Sequence, residues 1–134
     1  MLNNATATVI SASNTPTKVL GTTTANAINQ KFTHSNNRAT YSGELVKDFQ
    51  VSAVASLAGS NNRVIGMYVA KNGTVIADSE MYATTSGTGR AESITVQTIT
   101  ELVNGDYLEI WIENSSDSSN VTVEYLNFIC KSIS

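Results

Sequence analysis

The stretch Asp106-Tyr107-Leu108-Glu109-Ile110-Trp111-Ile112-Glu113 decides the fold. Leu108, Ile110 and Ile112 fall on one face of an extended chain; Tyr107, Glu109, Trp111 and Glu113 fall on the other. A repeat of two is the period of a β-strand with one buried face. Upstream, Phe49-Gln50-Val51-Ser52-Ala53-Val54-Ala55-Ser56-Leu57 repeats it, with Phe49, Val51, Ala53, Ala55 and Leu57 alternating with mostly small polar partners. Ser93–Thr100 is a weaker instance, with Ile94, Val96 and Thr98 set against Thr95, Gln97 and Ile99.

Two further segments are apolar on both faces. Arg63–Lys71 sets Ile65, Met67 and Val69 against Val64, Tyr68 and Ala70. Val121–Ile133 sets Val121, Val123, Tyr125 and Ile129 against Leu126, Phe128 and Cys130. A sandwich strand needs only one apolar face, because the other normally meets water. Apolar residues on both faces therefore predict a second burial surface, such as a contact between subunits.

Turn residues separate these runs. Lys71-Asn72-Gly73-Thr74 carries Asn-Gly, the strongest short signal for a two-residue type I′ hairpin. Asn104-Gly105-Asp106, Ser115–Asn120, Thr84–Gly89, Ser35-Asn36-Asn37 and Ser60-Asn61-Asn62 mark further turns and loops. No window reads as a helix. The first 40 residues are less legible, with short strands expected at Ala5–Ile10, Val19-Leu20 and Ala27–Phe32 and a turn or edge position at Pro16. The expected fold is all-β, an antiparallel β-sandwich of jelly-roll topology. Residues 1–31 form an N-terminal segment joined in one domain to a sandwich over 32–134.

Composition narrows the function classes. Only 14% of the 134 residues are charged, the net charge is -3, and Thr, Ser and Asn number 17, 16 and 14. Strong helix formers are too few for a bundle, and the scattered basic residues give no footprint for nucleic acid. No apolar run reaches the ~20 residues of a membrane-spanning helix. Met1-Leu2-Asn3-Asn4 has neither the basic nor the apolar stretch of a secretion leader. The lone Cys130 has no internal disulfide partner and is expected to pack as a small hydrophobe.

Little here suggests catalysis. His34 is the one histidine and reads as a loop residue; a hydrolytic triad would need a serine and an acid beside it. Glu109 and Glu113 lie four residues apart on one strand face, roughly 13 Å at ~3.3 Å per residue, too far to act on one glycosidic bond. Trp111 between them forms either a sugar-binding platform, with Tyr107 and Tyr82, or an aromatic packed under a loop or a partner chain. Asp117, with Asn114 and Asn120, supplies one carboxylate where calcium sites gather several. No catalytic residue, cofactor site or metal site is expected.

The order of the pieces carries a resemblance. Phe32 precedes an Asn-rich loop and Arg38-Ala39-Thr40-Tyr41-Ser42-Gly43. The long strand Phe49–Leu57, Val64–Ala70, the Lys71-Asn72-Gly73 hairpin, a strand ending at Tyr82, Gly105–Ile110 and an aromatic-rich last strand follow. From Phe32 to Ile133 this resembles the trimeric jelly roll of the tumour necrosis factor superfamily and the complement globular heads. Low charge and abundant Ser, Thr and Asn are more similar to the forms of that fold in bacteriophage virion proteins: decoration proteins, head fibres and tail-fibre knobs. The resemblance implies a non-enzymatic homotrimer on the virion surface, with phage capsid protein as partner. The expected trimer contacts are Tyr125, Phe128, Val123, Tyr68 and Met67. Leu2, Val9 and Ile10 are the candidate capsid-docking residues. The alternative is a glycan-binding knob or carbohydrate-binding module working through Trp111, Tyr107 and Tyr82.

Overall fold

The alternating runs form strands over nearly the ranges their patterns predict in the computed structural model, which describes residues 1–26, 30–87 and 89–134. In chain order the strands are β1 (Thr17–Lys18), β2 (Phe32–Ser35), β3 (Arg38–Tyr41), β4 (Lys47–Gly59), β5 (Val64–Lys71), β6 (Thr74–Val75), β7 (Met81–Thr84), β8 (Glu92–Leu102), β9 (Tyr107–Asn114) and β10 (Val121–Ser132). A larger sheet runs β2-β3-β9-β5-β6, with β1 added to β9 and β7 to β5. A smaller sheet runs β10-β4-β8. All pairings are antiparallel.

The core lies between the sheets. Leu108, Ile110 and Ile112 of β9 and Ile65, Met67 and Val69 of β5 meet Val51, Ala53, Ala55 and Leu57 of β4 with Ile94, Val96 and Leu102 of β8. Phe32, Tyr41 and Phe49 close one end, their ring centroids 5.1 to 5.4 Å apart in tilted and edge-on geometry. Turn chemistry fixes the registers. Asn72 and Gly73 have φ of 53° and 79°, the double positive φ of a type I′ hairpin. Asn36 and Asn37, at 51° and 55°, turn β2 into β3 by the same means.

Each strand with two apolar faces has an explanation within one chain. In β10 the register passes from Val123 opposite Leu57 to Tyr125 opposite Ser56, so Glu124 is an extra residue in a bulge. The bulge shifts the phase by one residue. Val121 and Val123 point inward before it; Leu126, Phe128 and Cys130 pack on the core after it. In β5 the outward Tyr68 and Ala70 are covered by the chain itself, with Trp111 and Glu109 directly opposite them on β9. Met67 and Val123, expected at a trimer contact, have no exposed surface and fill the core instead. Ile10, expected to dock on a capsid, is likewise buried in the core, while Leu2 and Val9 stand exposed.

The N-terminal segment belongs to the sandwich. Residues 5–10 make a single bridge, Thr8 to Val121, rather than a strand. The Asn4 backbone N–H donates to the Glu124 carbonyl and the Leu126 N–H to the Met1 carbonyl, so this segment lines the β10 edge. Side chains do the work that a ladder would otherwise do. Asn4 Nδ2 donates to the carbonyls of Thr6, Leu20 and Val123, and Thr8 Oγ1 accepts the Leu20 N–H. The strand expected at Val19-Leu20 forms two residues earlier, as β1. The one expected at Ala27–Phe32 falls partly on 27–29, outside the described residues, and β2 begins at Phe32. Thr88, in the loop read at Thr84–Gly89, also lies outside them.

Leu57 is fully enclosed near the end of β4, opposite Val123. Leu57→Ala should lower the unfolding free energy by about 2–5 kcal/mol, read as a lower urea midpoint at unchanged slope. A loss below about 1 kcal/mol would mean that the site is not close-packed.

Candidate functional site

The outer face of the larger sheet gathers the chain's unusual side chains. Strand alternation sends Tyr107, Glu109, Trp111 and Glu113 of β9 outward, because Leu108, Ile110 and Ile112 are held in the core. Register then places their neighbours. Lys18 of β1 and Tyr68 of β5 flank Trp111, Thr40 of β3 lies beside Tyr107, and Ala70 lies opposite Glu109. Gly66 lies between Glu113 and Tyr82. The expected platform residues Trp111, Tyr107 and Tyr82 therefore share one face.

One side of this face is an ion-pair network. Glu109 is almost wholly buried, with Lys18 Nζ 2.7 Å and Arg38 Nε 3.3 Å from its Oε2. Trp111 Nε1 donates to Oε1 at 3.3 Å. The Arg38 guanidinium lies over the Tyr107 ring, 3.6 Å from its centroid, in cation–π geometry. Burial pushes the Glu109 carboxyl up, but the hydrogen bonds from Lys18 and Trp111 and the charges of Lys18 and Arg38 outweigh it, so its pKa lies below the ordinary glutamate value.

The other side is acidic and phenolic. Glu80 precedes β7, just after a short 3₁₀ turn at Ala77–Ser79. Tyr68 Oη donates to Glu80 Oε1, and the Tyr82 phenol lies near the same carboxylate. Ser115 Oγ donates to Glu113 Oε1 at 3.1 Å. Burial, then the Glu80 hydrogen bond and the nearby glutamates, raise the Tyr68 phenol far above its usual range. Tyr82, 57% exposed, is raised chiefly by Glu80. Sequence reasoning missed Lys18, Arg38 and Glu80, and placed Tyr68 at a subunit contact. Arg38 lies 71 residues from Glu109, and only the sheet order brings such pairs together.

The remaining candidates disperse. His34 Nε2 lies 2.6 Å from Thr23 Oγ1, which donates to Asn37 Oδ1 at 2.7 Å. Among the described residues the histidine is thus bonded to a threonine, and no serine–acid pair completes a triad. Asp117 pairs with Arg63 and accepts the Ser119 N–H and hydroxyl and the Asn114 amide. Asn120 Oδ1 accepts the Ile10 N–H. These oxygens are committed to building a loop, and no metal-binding cluster occurs among the described residues. Burial pushes the Cys130 thiol up to about 12, so it is not a thiolate at neutral pH. Of the expected trimer contacts, Tyr125 is exposed on the smaller sheet, Phe128 is half-buried on that sheet's inner side, and Tyr68 is on the opposite sheet.

No family model matches the chain, and no curated protein matches it. Among solved structures it is similar to CBM35 from Cellvibrio japonicus Abf62, at 14% identity and a TM-score of 0.33, covering 98% of this chain and 96% of that one. It is also similar to Xyl-CBM35 in complex with a glucuronic acid-containing disaccharide, at 14% identity and a TM-score of 0.35, covering 98% and 95%. Scores this low carry nothing about the ligand.

Glu109 makes stability depend on acid. A carboxyl with a folded pKa below its unfolded value stabilises the fold above the ordinary glutamate range, and that contribution is lost as pH falls through the folded value. Urea midpoints measured from neutral pH downward should fall once pH drops below about 4.3. Glu109→Gln should lower the midpoint at pH 7 and flatten the acid decline. An unchanged decline in the variant would mean that other carboxyls carry it.

Proposed function

We propose that the chain is a non-catalytic glycan-binding module whose ligand lies on the outer face of the larger sheet. The observation that carries this is the grouping on one open sheet face of Trp111, Tyr107 and Tyr82 with fixed polar side chains between them. Sugar rings present an apolar face and a rim of hydroxyls. Flat aromatic rings match the first; Glu80, Glu113 and the Arg38 guanidinium match the second. The scaffold is rigid. Arg38 is held by both Glu109 and Tyr107, and Trp111 by Glu109, so little side-chain freedom is lost when a ligand arrives.

A second reading has its own observation. The outer face of the smaller sheet exposes Val54, Ile99, Tyr125 and Ile129 among Ser52, Ser56, Thr95, Gln97 and Asn127. On this reading copies associate through that face, as in the homotrimeric phage surface protein that the family resemblance implies, with Tyr125 and Ile129 at the contact. The two readings use opposite faces and are compatible, as in a trimeric knob that presents three glycan shelves.

Affinity electrophoresis through soluble polysaccharides, followed by calorimetry on any that retard the protein, tests the first. Trp111→Ala and Tyr82→Ala should each weaken binding by about ten-fold or more while circular dichroism is unchanged. Full affinity in Trp111→Ala would remove the shelf from the ligand site. Sedimentation at micromolar concentration tests the second: three chains per particle, reduced to one by Ile129→Asp, is the expected result, and a monomeric wild type would end it.

A further inference from the structure

We propose that the corner of the shelf formed by Tyr82, Glu80 and Glu113 takes an organic ammonium group, so that an amine-bearing sugar is the favoured ligand; the proposal rests on the glycan-shelf reading. Glu80 and Glu113 come from different elements and crowd together above Gly66. A Cβ at residue 66 would lie 2.7 Å from Glu80 Oε1 and 3.1 Å from Glu113 Cγ, so a side chain there would push the Glu80 carboxylate out of its present place. Glu113 is almost wholly buried. Yet the ion pairs among the described residues involve neither Glu80 nor Glu113.

The contrast with Glu109 is informative. That carboxylate is buried on the same face and holds two cations, Lys18 and Arg38. The hydroxyls of Tyr68 and Ser115 give Glu80 and Glu113 hydrogen bonds but no counter-charge. Taking a carboxylate out of water without an opposite charge is costly. One oxygen of each carboxylate thus has a hydroxyl partner, and neither carboxylate has a counter-charge among the described residues. The corner's open side is formed by the exposed Tyr82 ring. An ammonium group gains from a ring face and from carboxylates together, and an amine fixed to a sugar can reach both while the ring lies along the aromatic shelf. A hard divalent cation is a poorer match, since it seeks six to eight oxygens and the hydroxyls here already occupy part of the carboxylates. A uronate would add a third negative charge.

Calorimetry with a tetramer of β-1,4-linked glucosamine and the matching glucose tetramer tests this. The amine-bearing tetramer should bind about ten-fold more tightly, and that ratio should fall to about two-fold or less in Glu80→Gln and in Glu113→Gln. The more exposed Glu80 keeps the test available if Glu113→Gln does not fold. Equal affinity for the two tetramers, both dependent on Trp111, would overturn the ammonium site and leave the shelf standing. An undiminished ratio in both glutamine variants would also overturn it, because the amine would then be read elsewhere. Binding of neither tetramer by a protein that still binds a polysaccharide through Trp111 would overturn the ammonium site and leave the shelf standing; no retardation by any polysaccharide would remove both proposals. Millimolar calcium chloride that raises the melting temperature and abolishes the amine preference would assign the corner to an inorganic cation and overturn the proposal.

Discussion

The buried carboxylate of Glu109 is the interaction on which the larger sheet depends. It projects from β9, and a charge so placed must be answered by opposite charge and hydrogen bonds. The answers come from Lys18 on β1, Arg38 on β3 and the indole of Trp111. Two short strands, each with few ladder bonds of its own, are thereby held to one side of β9. The same contacts fix Trp111 and Arg38, which tie the stability of the sheet to the shape of its outer face. Backbone register sets Lys18 and Tyr68 beside the tryptophan, and the contacts to Glu109 then fix how the Lys18, Arg38 and Trp111 side chains lie.

The two sheets treat their outer faces differently, and strand chemistry explains why. On the larger sheet the outward positions of β9 carry large polar and aromatic groups that bury one another, leaving a surface rich in rings and charge. On the smaller sheet many outward positions are Ser, Thr, Gln or Asn, interspersed with exposed apolar residues such as Ile99, 66% accessible. The first face offers directional partners to a ligand. The second offers β-branched and hydroxyl-bearing residues, with its charges Asp48, Glu101 and Lys131 gathered at one end, which suits broad contact with another sheet over the rest.

Much of the architecture was readable from local pattern. The alternation in Phe49–Leu57 and Asp106–Glu113 located β4 and β9, and Asn72-Gly73 located a hairpin whose positive φ angles match its residues. What resisted reading has identifiable causes. The inward side of β10 changes at Glu124, and one extra residue makes a one-faced strand look two-faced. Tyr68 looked like a contact for another chain because its covering groups, Glu80 and Trp111, are not its neighbours in sequence. The first residues pair through side chains of Asn4 and Thr8 rather than through a ladder, so no periodicity marks them. At the candidate site the aromatic residues could be named from alternation alone. Their charged companions could not, because Lys18 and Arg38 reach Glu109 only through the order of the strands.

The segment lying along β10 has a further consequence, for the timing of folding. Residue 1 meets residue 126, a separation of 125 positions, and Thr8 meets Val121. Contacts this distant pay the full entropy of closing a long loop before they return anything. On the ribosome the early segment emerges long before the strand whose edge it covers. The smaller sheet can then be completed only after synthesis has passed β10, and until that moment the segment, and the edge of the long strand β4 that does not face β8, are without their final partners. Such a sandwich closes only once β10 has been made, and chaperones that shield unpaired strands would meet it before then.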